Sequence, residues 1–153
     1  MRVRDYQAAD AAGLADLYVR SVRGLGALRY SPEQIAAWAG LAPSAERLEA
    51  LMADDRFRLV AEDQGRLAAF VDVTTDGLVH FLYAAPEAPS GAASAIYAAA
   101  ETRAREAGMS RLTAEASDLA RGFFLRRGFV DLVRRDFEID GVAIHNHAVE
   151  KVL

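Results

Sequence analysis

The chain has 153 residues, of which 52% are hydrophobic and 26% charged, a balance that predicts one buried core and a single domain over residues 1–153. Its 22 acidic residues against 18 basic ones leave a formal net charge of −4, so the general attraction to phosphate polymers is missing and no nucleic-acid partner is expected. No apolar run approaches the roughly 20 residues of a membrane span, and Met1 leads straight into Arg2, Arg4 and Asp5, so a cytoplasmic protein with no membrane partner is expected.

Arg2 to Tyr6 alternates like a short strand. From Asp10 to about residue 23, Leu14, Leu17, Tyr18 and Val22 recur at helical spacing, and Gly24 and Gly26 are expected to end that helix. Ser31 followed by Pro32 reads as a cap and first helical residue, opening a second helix through Trp38. A third short helix fits Ala45 to Met52. The period then changes. Phe57 to Glu62, Arg66 to Thr74 and Leu78 to Ala84 read as three strands of an antiparallel meander, joined by turns at Asp63-Gln64-Gly65 and Thr75-Asp76-Gly77. Ser90 to Ala107 carries Ile96, Tyr97, Ala100 and Ala104 on one stripe, which predicts a long helix stopped by Gly108. A strand over Arg111 to Ala116, a short helix over Ser117 to Arg127 and two closing strands, Val130 to Ile139 and Val142 to Val152, complete a mixed α/β chain.

Chemistry is best sought at the junction between the strand 78–84 and the long helix. A strand that ends in a loop of small residues opening a helix offers unpaired N–H groups at the positive end of the helix dipole, which suits a phosphate. Ser90, Gly91, Ala92, Ala93 and Ser94 are the candidates, because their side chains leave room for close approach. From spacing alone an ordinary strand-to-helix turn is the more frequent reading.

That junction, Ala88-Pro89-Ser90-Gly91-Ala92-Ala93, resembles the pyrophosphate loop of the GCN5-related N-acetyltransferase (GNAT) family, Gln/Arg-x-x-Gly-x-Gly/Ala. The stretch from Ser117 to Phe129 resembles the family's A-x-x-F-Y-x-K-x-G-F segment, and the end from Gly141 to Leu153 its C-terminal strand. Within the family, Tyr30 to Ala39 is similar to a group of small bacterial acetyltransferases of the YafP type. The resemblance implies a mostly antiparallel sheet with a central splayed parallel strand pair, 78–84 and 111–117, and helices on both faces. Acetyl-CoA would lie in that gap as co-substrate and pass its acetyl group directly to a small-molecule or peptide amine, without a metal.

The same resemblance implies that Tyr83, Ala84, Ser117, Phe124 and Arg126, with the loop residues 90–94, bind the cofactor, and that Tyr30 and Trp38 wall the substrate. His80 stands where relatives often place an acidic base, and its ordinary pKa near 6.5 suits it to accept a proton. A hydrogen-bonded structural histidine is an equally frequent reading. Two departures stand out: Ala88 replaces the usual Gln or Arg, and Phe124 replaces the tyrosine taken to protonate the departing thiolate. They leave open a second reading, a catalytically weak or inactive relative that binds acyl-CoA or a protein partner without turnover. Glu115 reads as an exposed strand residue or as a second carboxylate near the cleft. Arg121, Arg126 and Arg127 compete for the CoA ribose phosphate. His145 and His147 share a strand face, but with no third ligand at suitable spacing a metal site is not expected. Monomer and homodimer both fit the sequence.

Overall fold

In the computed structural model, which describes residues 1–153, the change of period after Asp55 separates a largely helical leader from the sheet. The elements run β1 (Arg2–Asp5), α1 (Ala11–Leu25), α2 (Pro32–Ala39), α3 (Ala45–Leu51), β2 (Phe57–Asp63), β3 (Arg66–Val73), β4 (Leu78–Ala84), α4 (Ala92–Glu106), β5 (Arg111–Ala116), α5 (Asp118–Leu125), β6 (Val130–Ile139) and β7 (Val142–Val152). Serines start three of the helices. Ser31 Oγ accepts from Gln34 N–H while Gln34 Oε1 accepts from Ser31 N–H, a reciprocal capping box, and Ser44 and Ser117 cap α3 and α5 through Arg47 N–H and Ala120 N–H.

Helix boundaries depart from expectation at two glycines, each for a local reason. Gly24 does not stop α1; a Cβ there would sit 2.6 Å from the ring of Pro86, so the glycine serves close packing inside a helix that runs to Leu25. The long helix begins at Ala92, because Gly91 adopts φ +90°, a left-handed conformation that breaks the helical path.

All seven strands join one sheet in the order β1-β2-β3-β4-β5-β7-β6. Every neighbouring pair is antiparallel except β4 and β5. One core lies between the sheet and α4 with α5, built on Val71, Val73, Ile96, Tyr97, Leu112, Phe124 and Val149. A second lies on the opposite face under α1, α2 and α3, built on Leu14, Leu17, Tyr18, Val60, Phe70 and Phe81. The sheet therefore carries helices on both faces, as the resemblance implies.

The parallel pair is short. Only Leu78 with Thr113 and Val79 with Ala114 are in register before β4 and β5 diverge. Gly77 sets the vertex of this V: its carbonyl accepts from Thr113 N–H at 2.9 Å, and at φ +90° a Cβ would lie 2.3 Å from the Arg111 carbonyl oxygen. Only glycine allows the two chains to meet so closely there.

Candidate active site

The divergence of β4 and β5 opens a cavity of about 920 Å³ that reaches both faces of the sheet. Ala85 N–H bonds the Ala68 carbonyl at 2.8 Å, so strand alternation turns the backbone groups of Leu82 and Ala84 away from β3 and into the gap. Toward α4 the wall is made by Ala84, Ala93, Leu119, Phe123, Phe124 and Arg126, and toward α1 and α2 by Tyr18, Tyr30, Trp38, Phe81 and Tyr83.

At the α4 end, the N–H groups of Gly91, Ala93 and Ser94 make no hydrogen bond within the chain, and a Cβ on Gly91 would meet nothing within 4 Å. That combination of free donors and open space fits an anion at the helix N-terminus. Ala92 departs from the expected role. Its N–H bonds the Pro89 carbonyl at 3.1 Å and its methyl is buried in the core, so it supplies no donor. Ser90 lies exposed beyond the cavity mouth. The Ser94 hydroxyl accepts from the Arg127 guanidinium, which also donates to the Phe123 carbonyl at 2.9 Å and stacks on the Phe123 ring at 3.4 Å. Of the three candidate arginines, Arg121 pairs with Asp131, Arg127 braces α5 against α4, and Arg126 lines the cavity with no carboxylate in ion-pair reach.

Tyr83 and Ala84 part company, because neighbouring strand residues face opposite ways. Ala84 packs toward α4, whereas the Tyr83 ring lies toward α1, 4.6 Å from Tyr18 and 5.9 Å from Phe70. Burial pushes the Tyr83 phenol well above its ordinary pKa, with Tyr18 adding to the effect, so it remains a protonated donor. Tyr97 is otherwise engaged: its hydroxyl donates to Glu101 at 2.6 Å. Phe124 is buried against Phe129, Phe123 and Tyr97 with one side on the cavity. Ser117 lines the cavity while its hydroxyl caps α5.

A β-bulge shapes the centre. Asp72 pairs with Phe81 and Val73 with Val79, which leaves His80 as the extra residue and turns its partly exposed side chain into the cavity. Beneath it lies a buried charge network. Asp72 accepts from Arg56 at 3.1 Å and Arg58 at 3.0 Å through Oδ2, and from Phe81 N–H at 3.0 Å through Oδ1. Arg58 is fully buried, with a further bond to the Leu48 carbonyl at 2.9 Å and the Tyr6 ring 4.7 Å from its guanidinium carbon. Arg56 also holds the Asp54 carboxyl down at about 2.

Arg56 Nη1 lies 2.8 Å from His80 Nδ1. A guanidinium can only donate, so the neutral ring carries its proton on Nε2. Burial lowers the His80 pKa; Asp72 opposes the shift and Arg56 reinforces it. His80 thus offers the cavity an N–H donor, and the accepting lone pair expected of a base is already occupied.

Tyr30 is a strut as well as a wall. Its hydroxyl accepts from Asp118 N–H at 2.8 Å and donates to the His145 carbonyl at 3.3 Å, and Trp38 packs edge-on at 5.4 Å. Glu115 lines the cavity and pairs with Arg135 at 2.7 Å. The third partner missing from the sequence around His145 and His147 is Asp118, at the start of α5: both Nε2 atoms lie 2.8 Å from its carboxylate.

The acetyltransferase (GNAT) domain family matches residues 27–151. The structure of a GCN5-related N-acetyltransferase, "Aminotransferase, Class-II" from Rhodopseudomonas palustris, is 31% identical, with a TM-score of 0.90 over 99% of this chain and 95% of that one. The PaiA N-acetyltransferase of Thermoplasma acidophilum, in complex with coenzyme A, is similar at 18% identity and TM-score 0.77 over 99% and 98% of the two chains. A phosphinothricin acetyltransferase of Sinorhizobium meliloti, in complex with AcCoA, is similar at 20% identity and TM-score 0.76 over 99% and 88%. No curated protein matches the chain in sequence.

Proposed function

The chain belongs to the GNAT acetyltransferase family, and from that premise we propose that it transfers the acetyl group of acetyl-CoA directly to an amine held against the aromatic wall of Tyr18, Tyr30, Trp38 and Tyr83. The observation that carries this reading is the gap between β4 and β5, whose free backbone edge leads to the unpaired N–H groups of Gly91, Ala93 and Ser94. A pantetheine arm laid in the gap would hydrogen-bond along Leu82 and Ala84 like an added strand. Its pyrophosphate would meet the start of α4, and Arg126 is the free cation for the remaining phosphate.

Acetyl-CoA supplies an activated thioester carbonyl whose leaving group, a thiolate, has a parent pKa near 8.5 by the cysteine reference. The attacking amine forms the new C–N bond as the C–S bond breaks, and it must lose a proton to water or a cavity base. We assign His80 a donor's part: its Nε2–H stabilises negative charge that develops on the carbonyl oxygen, as an oxyanion-hole group does. Arg56 fixes the ring for this task from behind. With Phe124 unable to donate, Tyr83 is a protonated phenol on the cavity that can hydrogen-bond the departing thiolate, which takes its proton from the amine or from water. Acyl transfer of this kind routes no step through a metal, and the apolar wall favours an acceptor with an aromatic or aliphatic body, small molecule or peptide end.

Calorimetric titration with acetyl-CoA, followed by a thiol-release assay over a panel of amines, tests the proposal. One-to-one binding and amine-dependent thiol release are expected. No acetyl-CoA binding by folded protein overturns it, and binding without release for any amine moves the chain to the inactive reading that Phe124 motivates.

A further inference from the structure

Three groups that ordinarily bind borderline metal ions converge beside the acceptor wall. His145 and His147 stand on one face of β7, and Asp118 is the first residue of α5, separated from the end of β5 only by Ser117. One ligand atom from each of the three lies within 4.8 Å of the others, and all three side chains are partly buried, between 16% and 27% exposed. The chain brings them together through sheet pairing: His147 is opposite Ala116, the last residue of β5, so the turn into α5 delivers Asp118 above the histidine face.

We propose that Asp118, His145 and His147 form a binding site for a divalent transition-metal ion, with Zn²⁺ the fitting occupant. Two imidazole nitrogens and one carboxylate oxygen are a donor set that zinc accepts, with one tetrahedral position left for water or another ligand. Bonds of about 2.0–2.1 Å place the vertices of such a tetrahedron about 3.4 Å apart. The nitrogen-to-oxygen separations of 2.8 Å need to widen by about half an ångström, and the two nitrogens, within 4.8 Å of each other, need to settle at the same spacing, which calls for rotation of the side chains. Without an ion, each Nε2 donates its proton to the carboxylate. With one, each ring presents the Nε2 lone pair to the metal and carries its proton on Nδ1.

The surroundings do not oppose a dication. The nearest arginines on the flanking elements are paired, Arg121 with Asp131 and Arg134 with Asp136, and the Asp118 carboxyl is available as an anion. The site is also tied to the acceptor wall, since Tyr30 holds the Asp118 backbone and the His145 carbonyl. An occupied site would therefore clamp α5, β7 and the segment before α2 together. The inference stands apart from acetyl transfer and needs no turnover to test.

The test uses untagged, chelator-stripped full-length protein titrated with Zn²⁺ by calorimetry and with Co²⁺ by visible absorption, which reports nitrogen–oxygen coordination directly. One-to-one binding in the micromolar range or tighter is expected. His147→Ala and Asp118→Asn should each weaken it by at least roughly tenfold, the low end of what losing even an outer partner costs. His80→Gln should bind as the wild type does, and circular dichroism must show each variant folded. Absence of binding to the wild type overturns the proposal, and so does binding that persists undiminished in the folded Asp118 and His147 variants. The two variants fail differently if misfolded, since Ser117 still caps α5 when Asp118 is changed and β7 keeps its ladder when His147 is changed.

Discussion

Replacing Asp72 by Asn removes one charge and no volume, yet it strikes the hub of the buried charge network. The Asp72 carboxylate serves Arg56, Arg58 and the Phe81 N–H at once, and both Asp72 and Arg58 are cut off from water. An amide oxygen in the place of Oδ2 can still accept from the two arginines, but it is neutral, and the NH₂ group then faces the Phe81 N–H, donor against donor. Arg58 is then a buried cation without a counter-charge. Breaking a buried pair by neutralising one partner costs about 3–5 kcal/mol. For a chain of this size each kcal/mol moves Tm by about 2–4 °C, so a fall of about 6–20 °C is expected. Urea unfolding should show the lost midpoint at an unchanged slope, which separates lost stability from a changed unfolded state. Adding Arg58→Met to Asp72→Asn should restore about half of the loss, because a flexible apolar side chain suits the vacated volume and needs no partner. A loss under about 1 kcal/mol in Asp72→Asn refutes the reasoning, as does a double variant less stable than the single one.

His80→Gln preserves an acceptor for Arg56 while removing the titration. Burial lowers the native imidazole pKa, so below about 6.5 the unfolded chain takes up a proton first, and native stability declines from there down through the lowered native pKa. The urea midpoint of the wild type should therefore fall further between pH 7.5 and 5.5 than that of the variant; equal falls sink the assignment. In a pH–rate profile, the variant should lose turnover at every pH while keeping the wild-type acid limb, whereas a His80 base would take that limb away. Gly91→Glu sets bulk and negative charge where the helix start is open, so acetyl-CoA affinity should fall beyond calorimetric detection in a folded protein, and unchanged affinity removes the loop from the site. Phe124→Tyr adds a hydroxyl on the cavity side of an aromatic cluster, and acetyl transfer should rise by up to roughly 10²-fold, the low end for general acids. No gain in a folded variant that binds acetyl-CoA means either that another group already supplies the proton or that the site has lost its catalytic geometry, and thiol release by the wild type separates the two.

Much of the architecture was legible because period and punctuation agree along most of the chain. Ser31-Pro32, Ser117 and the turns at Gly65 and Gly141 mark ends that the structure keeps. The errors arose where a residue answers to a distant neighbour: Gly24 yields to Pro86, sixty-two positions on, and nothing near it in sequence says so. The site was harder to read for the same reason. The His80 bulge depends on strand register, and Asp118 reaches His145 and His147 only through the pairing of β5 with β7. One signal was present and passed over. Asp72 sits inside the apolar run Phe70-Val71-Asp72-Val73, with Arg58 on the preceding strand and Arg56 just before it, and an acid in such a run calls for a buried partner.

The short ladder between β4 and β5 also decides how the molecule bears force. Strands β1 to β4 form one panel and β5 to β7 another, joined along their facing edges by the register pairs Leu78–Thr113 and Val79–Ala114 and, beyond them, by packed side chains such as Leu112, Ala114 and Phe124. Backbone hydrogen bonds resist shear stiffly, whereas a packed apolar seam yields. The protein is accordingly most compliant across the line where the pantetheine arm would lie. A ligand hydrogen-bonded along Leu82 and Ala84 would stiffen that open edge, and the β4 amides that face the gap should gain the greatest protection from exchange when it binds.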